Sequence, residues 1–228
     1  MSRYAVAYLL FLAAHALPAI SGLRERIIAA VGRRTYLLGY SALSLALLVF
    51  LIAAARAAPS WSLWPGSPAL AWVPILAMPF ACILLAGGVL APNPFSISFR
   101  TRGFDPRRPG IVAVTRHPIL WSFLLWSAAH VIANGDVVAV SLFGGLALYS
   151  FAGMWLVERR TRARLGADWP ALAAPTSRWP FGAQLAGRAV WPDLRDLAVS
   201  VVLGLLLYAA LLFGGHDWLF GIAPLDLI

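Results

Sequence analysis

Four histidines and one glutamate at the end of an apolar run are the side chains of this sequence whose types and spacing could do chemistry. His15 lies in FLAAHALPA and His130 in LWSAAHVIA, both apolar runs, where an imidazole needs a partner because an unpaired polar group in lipid is costly. His117 stands in Arg116-His117-Pro118, thirteen positions before His130. On a helix that separation is about 20 Å and leaves the two rings on nearly opposite faces, so they cannot share one ion. His216 follows the last apolar run beside Asp217 and reads as an interfacial imidazole that needs no special explanation.

His15 is about 13 Å from the nearer basic boundary at the helical rise, a depth within about 7 Å of that of His130, which helix tilt can absorb. Two imidazoles from different helices, with Trp126 and Ser127 on the His130 face and Phe123 one turn below, suit a haem b: its iron takes axial nitrogen ligands and its ring needs flat apolar walls. A zinc ion would want three or four ligands at one depth. The competing reading is that each histidine only hydrogen-bonds a neighbouring helix. A second constellation, Arg116, His117, Glu158, Arg159 and Arg162, could hold a haem propionate, another anionic cofactor or a lipid headgroup near a helix start; it could equally be basic topology charge neutralised by Glu158.

The elements that must position these groups are membrane helices. Apolar residues make up 61% of the 228-residue chain and charged residues 12%, with a mean hydropathy of +0.80, which excludes a soluble domain. The sequence predicts an all-α, polytopic transmembrane bundle with six spans at Ser2–Ile20, Tyr36–Ala55, Ala69–Ala91, His117–Ala133, Val137–Val157 and Leu197–Gly215. Asn134-Gly135-Asp136 is a tight turn that makes the fourth and fifth an antiparallel hairpin, bringing Arg116-His117 to Glu158. Pro74 and Pro79 should kink the third span without ending it. Between the last two spans, Leu165, Trp169 and Leu172 recur at helical spacing, and Glu158 precedes Arg162 by one turn; this predicts a cytosolic extension of span five that then lies on the membrane surface.

All 18 basic residues are arginine, and the net charge of +9 could suggest nucleic acid. Their placement excludes it. Sixteen of the 18 fall after spans one, three and five, on one face, so they act as topology signals that put both termini outside the cytoplasm. Trp61, Trp64 and Trp72 fit an aromatic belt on the outer face. Cys82 is alone, so no intrachain disulfide forms.

Through His15, RHP, LWSAAH, NGD, Phe143-Gly144 and the ERR…LGADW tail, the chain resembles the NnrU family of bacterial membrane proteins, associated with nitrite and nitric oxide reduction. The resemblance runs from about Tyr4 to Phe181. It implies an NnrU-like domain over 1–182, a linker and additional helix over 183–228, and residence in the bacterial inner membrane. The same domain is similar to plant zeta-carotene isomerase, a haem b enzyme whose two ligand histidines match His15 and His130. Ser127 replaces that enzyme's cysteine, and a hydroxyl is a poorer iron ligand than a thiolate. RHP followed by Glu158 also resembles isoprenylcysteine and phospholipid methyltransferases, which implies S-adenosylmethionine as the alternative cofactor. Three functions stand open: haem-dependent redox or isomerase chemistry on a hydrophobic small molecule, methyl transfer, and non-catalytic assembly of a respiratory reductase.

Overall fold

A computed structural model describes residues 1–20 and 22–228. Helices form at all six apolar runs. In chain order they are α1 (Ser2–Ile20), α2 (Leu23–Val31), α3 (Arg33–Arg56), α4 (Pro68–Leu90), the short α5 (Ile111–Val114), α6 (Pro118–Ala133), α7 (Val137–Leu165), the short α8 (Trp169–Ala173) and α9 (Gly182–Leu185), α10 (Leu194–Ala210) and α11 (His216–Phe220). No β-strand occurs among the described residues.

The protein is a multi-pass membrane bundle. Among the described residues, four helices are long and apolar enough to cross a bilayer alone: α3, α4, α7 with its continuation to Ala173, and the helix from Leu194 to Phe220. The first expected span meets that standard only when α1 and α2 are taken together as one broken span. The fourth is shorter than expected: its helix begins at Pro118, and its 16 residues rise about 24 Å against a hydrocarbon core of about 30 Å. Proline at the first helical position needs no amide hydrogen bond, which is why the helix starts there and leaves His117 in the preceding loop. Ser67 caps α4 by accepting from the Leu70 amide, and Asp193 caps α10 by accepting from the Arg195 amide. Pro74 and Pro79 are accommodated within α4.

Two compact units are present. The first comprises Met1–Leu63 with Asp136–Leu142. There α1 packs on α3, Ala7 and Leu51 are fully buried, and the Tyr4 hydroxyl meets Ser141 Oγ at 2.8 Å.

The second comprises Trp64–Gly135 and Phe143–Ile228, with α4 packed against both α6 and α10. Glycines set these approaches: a Cβ on Gly88 would lie 2.7 Å from the Ile119 side chain at the start of α6, and one on Gly204 of α10 would fall on the Ile83 backbone of α4. Gly204→Leu is therefore expected to lower thermal stability in detergent by an overpacking cost of about 1–3 kcal/mol, whereas the same change at exposed Gly39 should have a far smaller effect.

At one end of this unit, the loops after α4 and α7 form a polar cap over an apolar nucleus of Leu84, Phe95, Ile111, Val112, Val114, Trp169 and Ala173. Leu165 and Leu172 pack against that nucleus. The stripe expected to face the membrane surface thus faces the protein, because the loops supply a closer apolar partner than lipid. The extension itself breaks at Gly166–Asp168, where Gly166 takes φ +52.

Candidate functional site

The cap is organised around Glu158, which begins the polar extension of α7 beyond the apolar run ending at Val157. Arg116 Nη1 donates to its Oε1 at 2.9 Å, and Arg178 Nε to its Oε2 at 3.0 Å. His117 Nε2 reaches the same Oε2 at 3.3 Å. His117 is fully buried, and its Nδ1 meets Ser96 Oγ at 2.8 Å.

These contacts fix the protonation pattern. Burial alone would push the Glu158 carboxyl up; hydrogen bonds from His117 and Arg178 and the charges of Arg116 and Arg178 outweigh it and hold the carboxyl at about 2. An ionised carboxylate only accepts, so His117 Nε2 carries the proton and Nδ1 accepts from the Ser96 hydroxyl. Burial also pushes the His117 imidazole down despite its contact with Glu158, which keeps the ring neutral at pH 7.

The hairpin does bring Arg116 and His117 to Glu158, as the sequence expects. Arg162 is not among the partners of Glu158; it is exposed and lines a cavity of about 480 Å³ with Trp155, Glu158, Arg159 and Arg178. Arg178 takes the place expected for Arg162. The segment carrying it is strapped down because Thr115 Oγ1 donates to the Arg178 carbonyl at 2.8 Å, Trp121 Nε1 to the same carbonyl at 2.9 Å, and the Arg116 amide to Ser177 at 2.7 Å. The Arg178 guanidinium also lies 3.5 Å from the Trp155 ring centroid. Asn93, fully buried, donates to the Arg116 carbonyl at 2.9 Å. Arg178, Ser96 and Asn93 had no periodic signal to single them out; the proline-bounded PTSRWP was the nearest hint.

His15 and His130 belong to different units. In the first, His15 Nδ1 meets the Phe11 carbonyl at 2.7 Å, with the Phe11 ring 4.3 Å and the Tyr40 ring 5.7 Å away, centroid to centroid. In the second, His130 Nδ1 meets the Trp126 carbonyl at 2.7 Å, with Trp126 at 5.6 Å and Phe143 at 5.0 Å. A carbonyl only accepts, so both rings carry the proton on Nδ1 and the lone pair on Nε2. That is the tautomer in which a metal-binding imidazole is oriented by a carbonyl behind it.

Ser127 is fully buried, and its Oγ has no hydrogen-bond partner, one turn before His130. Phe123 is half-exposed, its ring 6.3 Å from Trp126. His216, expected to be a plain interfacial group, stands 6.5 Å from His130, ring centroid to ring centroid. Among the described residues, no three His, Cys, Asp or Glu side chains gather as a zinc site would require.

The family described as NnrU protein matches residues 4–224, nearly the whole chain. The chain belongs to the NnrU family. The match continues past Phe181 through the last helices. Among curated proteins, this NnrU-family chain is similar to the 15-cis-zeta-carotene isomerase, chloroplastic, of Arabidopsis thaliana, 37% identical over 84 residues, and to that of Zea mays, 36% identical over 83. Those stretches cover 37% and 36% of this chain and 23% of each relative. The chain thus matches under a quarter of the length of either curated relative. No solved structure matches it.

Proposed function

We propose that this NnrU-family protein binds haem b with His15 and His130 as axial ligands and carries out redox or isomerase-type chemistry on a hydrophobic small molecule in the bacterial inner membrane, linked to nitrogen-oxide metabolism. The observation that carries the reading is the shared setting of the two imidazoles: each is held from behind by the carbonyl four residues earlier and is flanked by aromatic rings. The buried, unpartnered Ser127 Oγ beside His130 adds a polar atom that awaits a ligand group. The relatives named as carotene isomerases supply the substrate class, a hydrophobic polyene.

Bound there, haem iron supplies a redox-active, Lewis-acidic centre. In this reading His15, with Phe11 and Tyr40 beside it in the first unit, and His130, with Trp126 and Phe143 beside it in the second, would each offer a nitrogen to the iron, and Ser127 would offer a hydroxyl. The cap takes no part in ligation. Its Arg159, Arg162 and Arg178, set against the single paired Glu158, suit an anionic group at the boundary cavity. Methyl transfer fits less well, because both oxygens of Glu158 are already committed to Arg116, His117 and Arg178.

Detergent-purified protein is expected to show a Soret band and no retention of labelled S-adenosylmethionine; the reverse result would favour methyl transfer. The arginine distribution supports a topology with both termini in the periplasm. Reporter fusions at Arg107 and at Ser60 should accordingly read cytoplasmic and periplasmic, and the opposite pattern would invert the topology.

A further inference from the structure

We propose that His216 is a third iron ligand of this protein, an imidazole presented to the metal position of His130 so that the second unit can complete an axial pair by itself. The proposal rests on the haem reading above and extends it to a residue at the far end of the chain. His130 and His216 come from α6 and α11, 86 positions apart in sequence by their numbers, yet their rings stand 6.5 Å apart with planes inclined by 23°. A metal–imidazole nitrogen bond of about 2 Å on each side, added to the distance from nitrogen to ring centre, places two opposed ligand rings roughly 6 Å apart. The observed ring spacing is close to that value.

The backbone that delivers His216 is unusual. After α10 the chain kinks within Leu211–Gly215, where Phe213 leaves helical geometry and Gly214 takes φ +144. Side chains rarely adopt that conformation, so glycine is needed there. The break redirects the chain just before His216.

His216 is also held in the same manner as the other two candidate ligands. Its Nδ1 meets the Ile222 carbonyl at 2.8 Å, which puts the proton on Nδ1 and the lone pair on Nε2. It is partly buried, with the Phe220 ring 4.9 Å away, while Phe143 stands 5.0 Å from His130. Two imidazoles, each held from behind at Nδ1 and bordered by an aromatic ring, thus stand near one another in one unit.

The test is a titration of the full-length protein in detergent with hemin, read by absorption and electron paramagnetic resonance. Wild type and His216→Ala should both give six-coordinate, low-spin iron, since His15 and His130 remain. His15→Ala should also stay low-spin, with His216 filling the position. His15→Ala combined with His216→Ala should turn high-spin and five-coordinate, and added imidazole should return it to low-spin, showing that the fold and the haem site survive. If His15→Ala alone is already high-spin and His216→Ala changes nothing further, His216 is not a ligand and the haem reading stands without it. If wild-type protein shows no saturable Soret band, the haem reading fails, and this proposal with it.

Discussion

Replacing His130 with alanine is expected to strip haem from the purified protein, with Soret absorbance per mole of chain falling at least as far as a roughly 10–100-fold loss of metal affinity requires, since removing a direct ligand costs no less than disturbing the group behind it. His130 is the imidazole common to both proposed pairings, with His15 and with His216. His117→Ala serves as the contrasting variant: its ring stands before the start of α6, tied to Ser96 and Glu158, whereas His130 lies in the last turn. The Soret position should therefore be unchanged in His117→Ala even if the protein is less stable. A wild-type spectrum in His130→Ala, or a shift confined to His117→Ala, would overturn the ligand assignment. A smaller change is expected for Ser127→Ala, which removes a buried hydroxyl without a partner and so should preserve or raise stability in the haem-free protein.

Glu158→Gln is expected to produce the largest loss of stability in the cap. The carboxylate is 13% exposed and compensates two guanidiniums that are themselves 13% and 17% exposed. Removing one partner of such a cluster leaves charge without compensation at a cost of about 3 kcal/mol, a fall in melting temperature of roughly 6–12 °C in a thermal-shift assay. Exchanging a carboxylate for an amide keeps the shape, so the loss measures charge rather than packing.

The acid limb supplies a second reading of the same group. Glu158 is held at about 2 against an ordinary value of 4.5. A depressed carboxyl stabilises the fold fully above its unfolded value, so this contribution is present at pH 5 and is lost as pH falls from about 4.5 to about 2. Between those limits the stability of wild type should decline more steeply than that of Glu158→Gln. Parallel curves would mean that Glu158 is not the paired carboxylate it is taken to be. Arg162→Ala should leave both measurements close to wild type, since Arg162 is exposed in the cavity wall and forms none of the ion pairs to Glu158.

Much of the bundle was legible because membrane helices are specified locally. An apolar run satisfies its own backbone hydrogen bonds, and its ends are marked by arginine, proline and glycine within a residue or three of where the helices stop. The three-residue turn between α6 and α7 likewise sufficed to bring Arg116 and His117 to Glu158. Length was the less secure part. The runs at Ser2–Ile20 and Pro118–Ala133 are predominantly apolar, but one reaches spanning length only with α2 and the other is a short helix packed along α4.

What the sequence by itself determined is the class of protein, the position of each long apolar helix, and the presence of imidazoles within those apolar runs, where lipid would make an idle polar group expensive. The tertiary structure decided which distant side chains meet them. Arg178 displaced Arg162 at Glu158 because a loop without helical periodicity is fastened by backbone bonds to Thr115, Arg116 and Trp121. Trp169 turned to a protein nucleus because Phe95 and Ile111, brought in by another loop, offered closer packing than the membrane surface. His216 stands 6.5 Å from His130, ring centroid to ring centroid, because the break at Phe213 and Gly214 redirects the chain there. In each case the deciding interaction is non-local: periodicity records the hydrogen bonding and burial of one helix, but the docking of loops and helix ends depends on surfaces that exist only after the helices have packed.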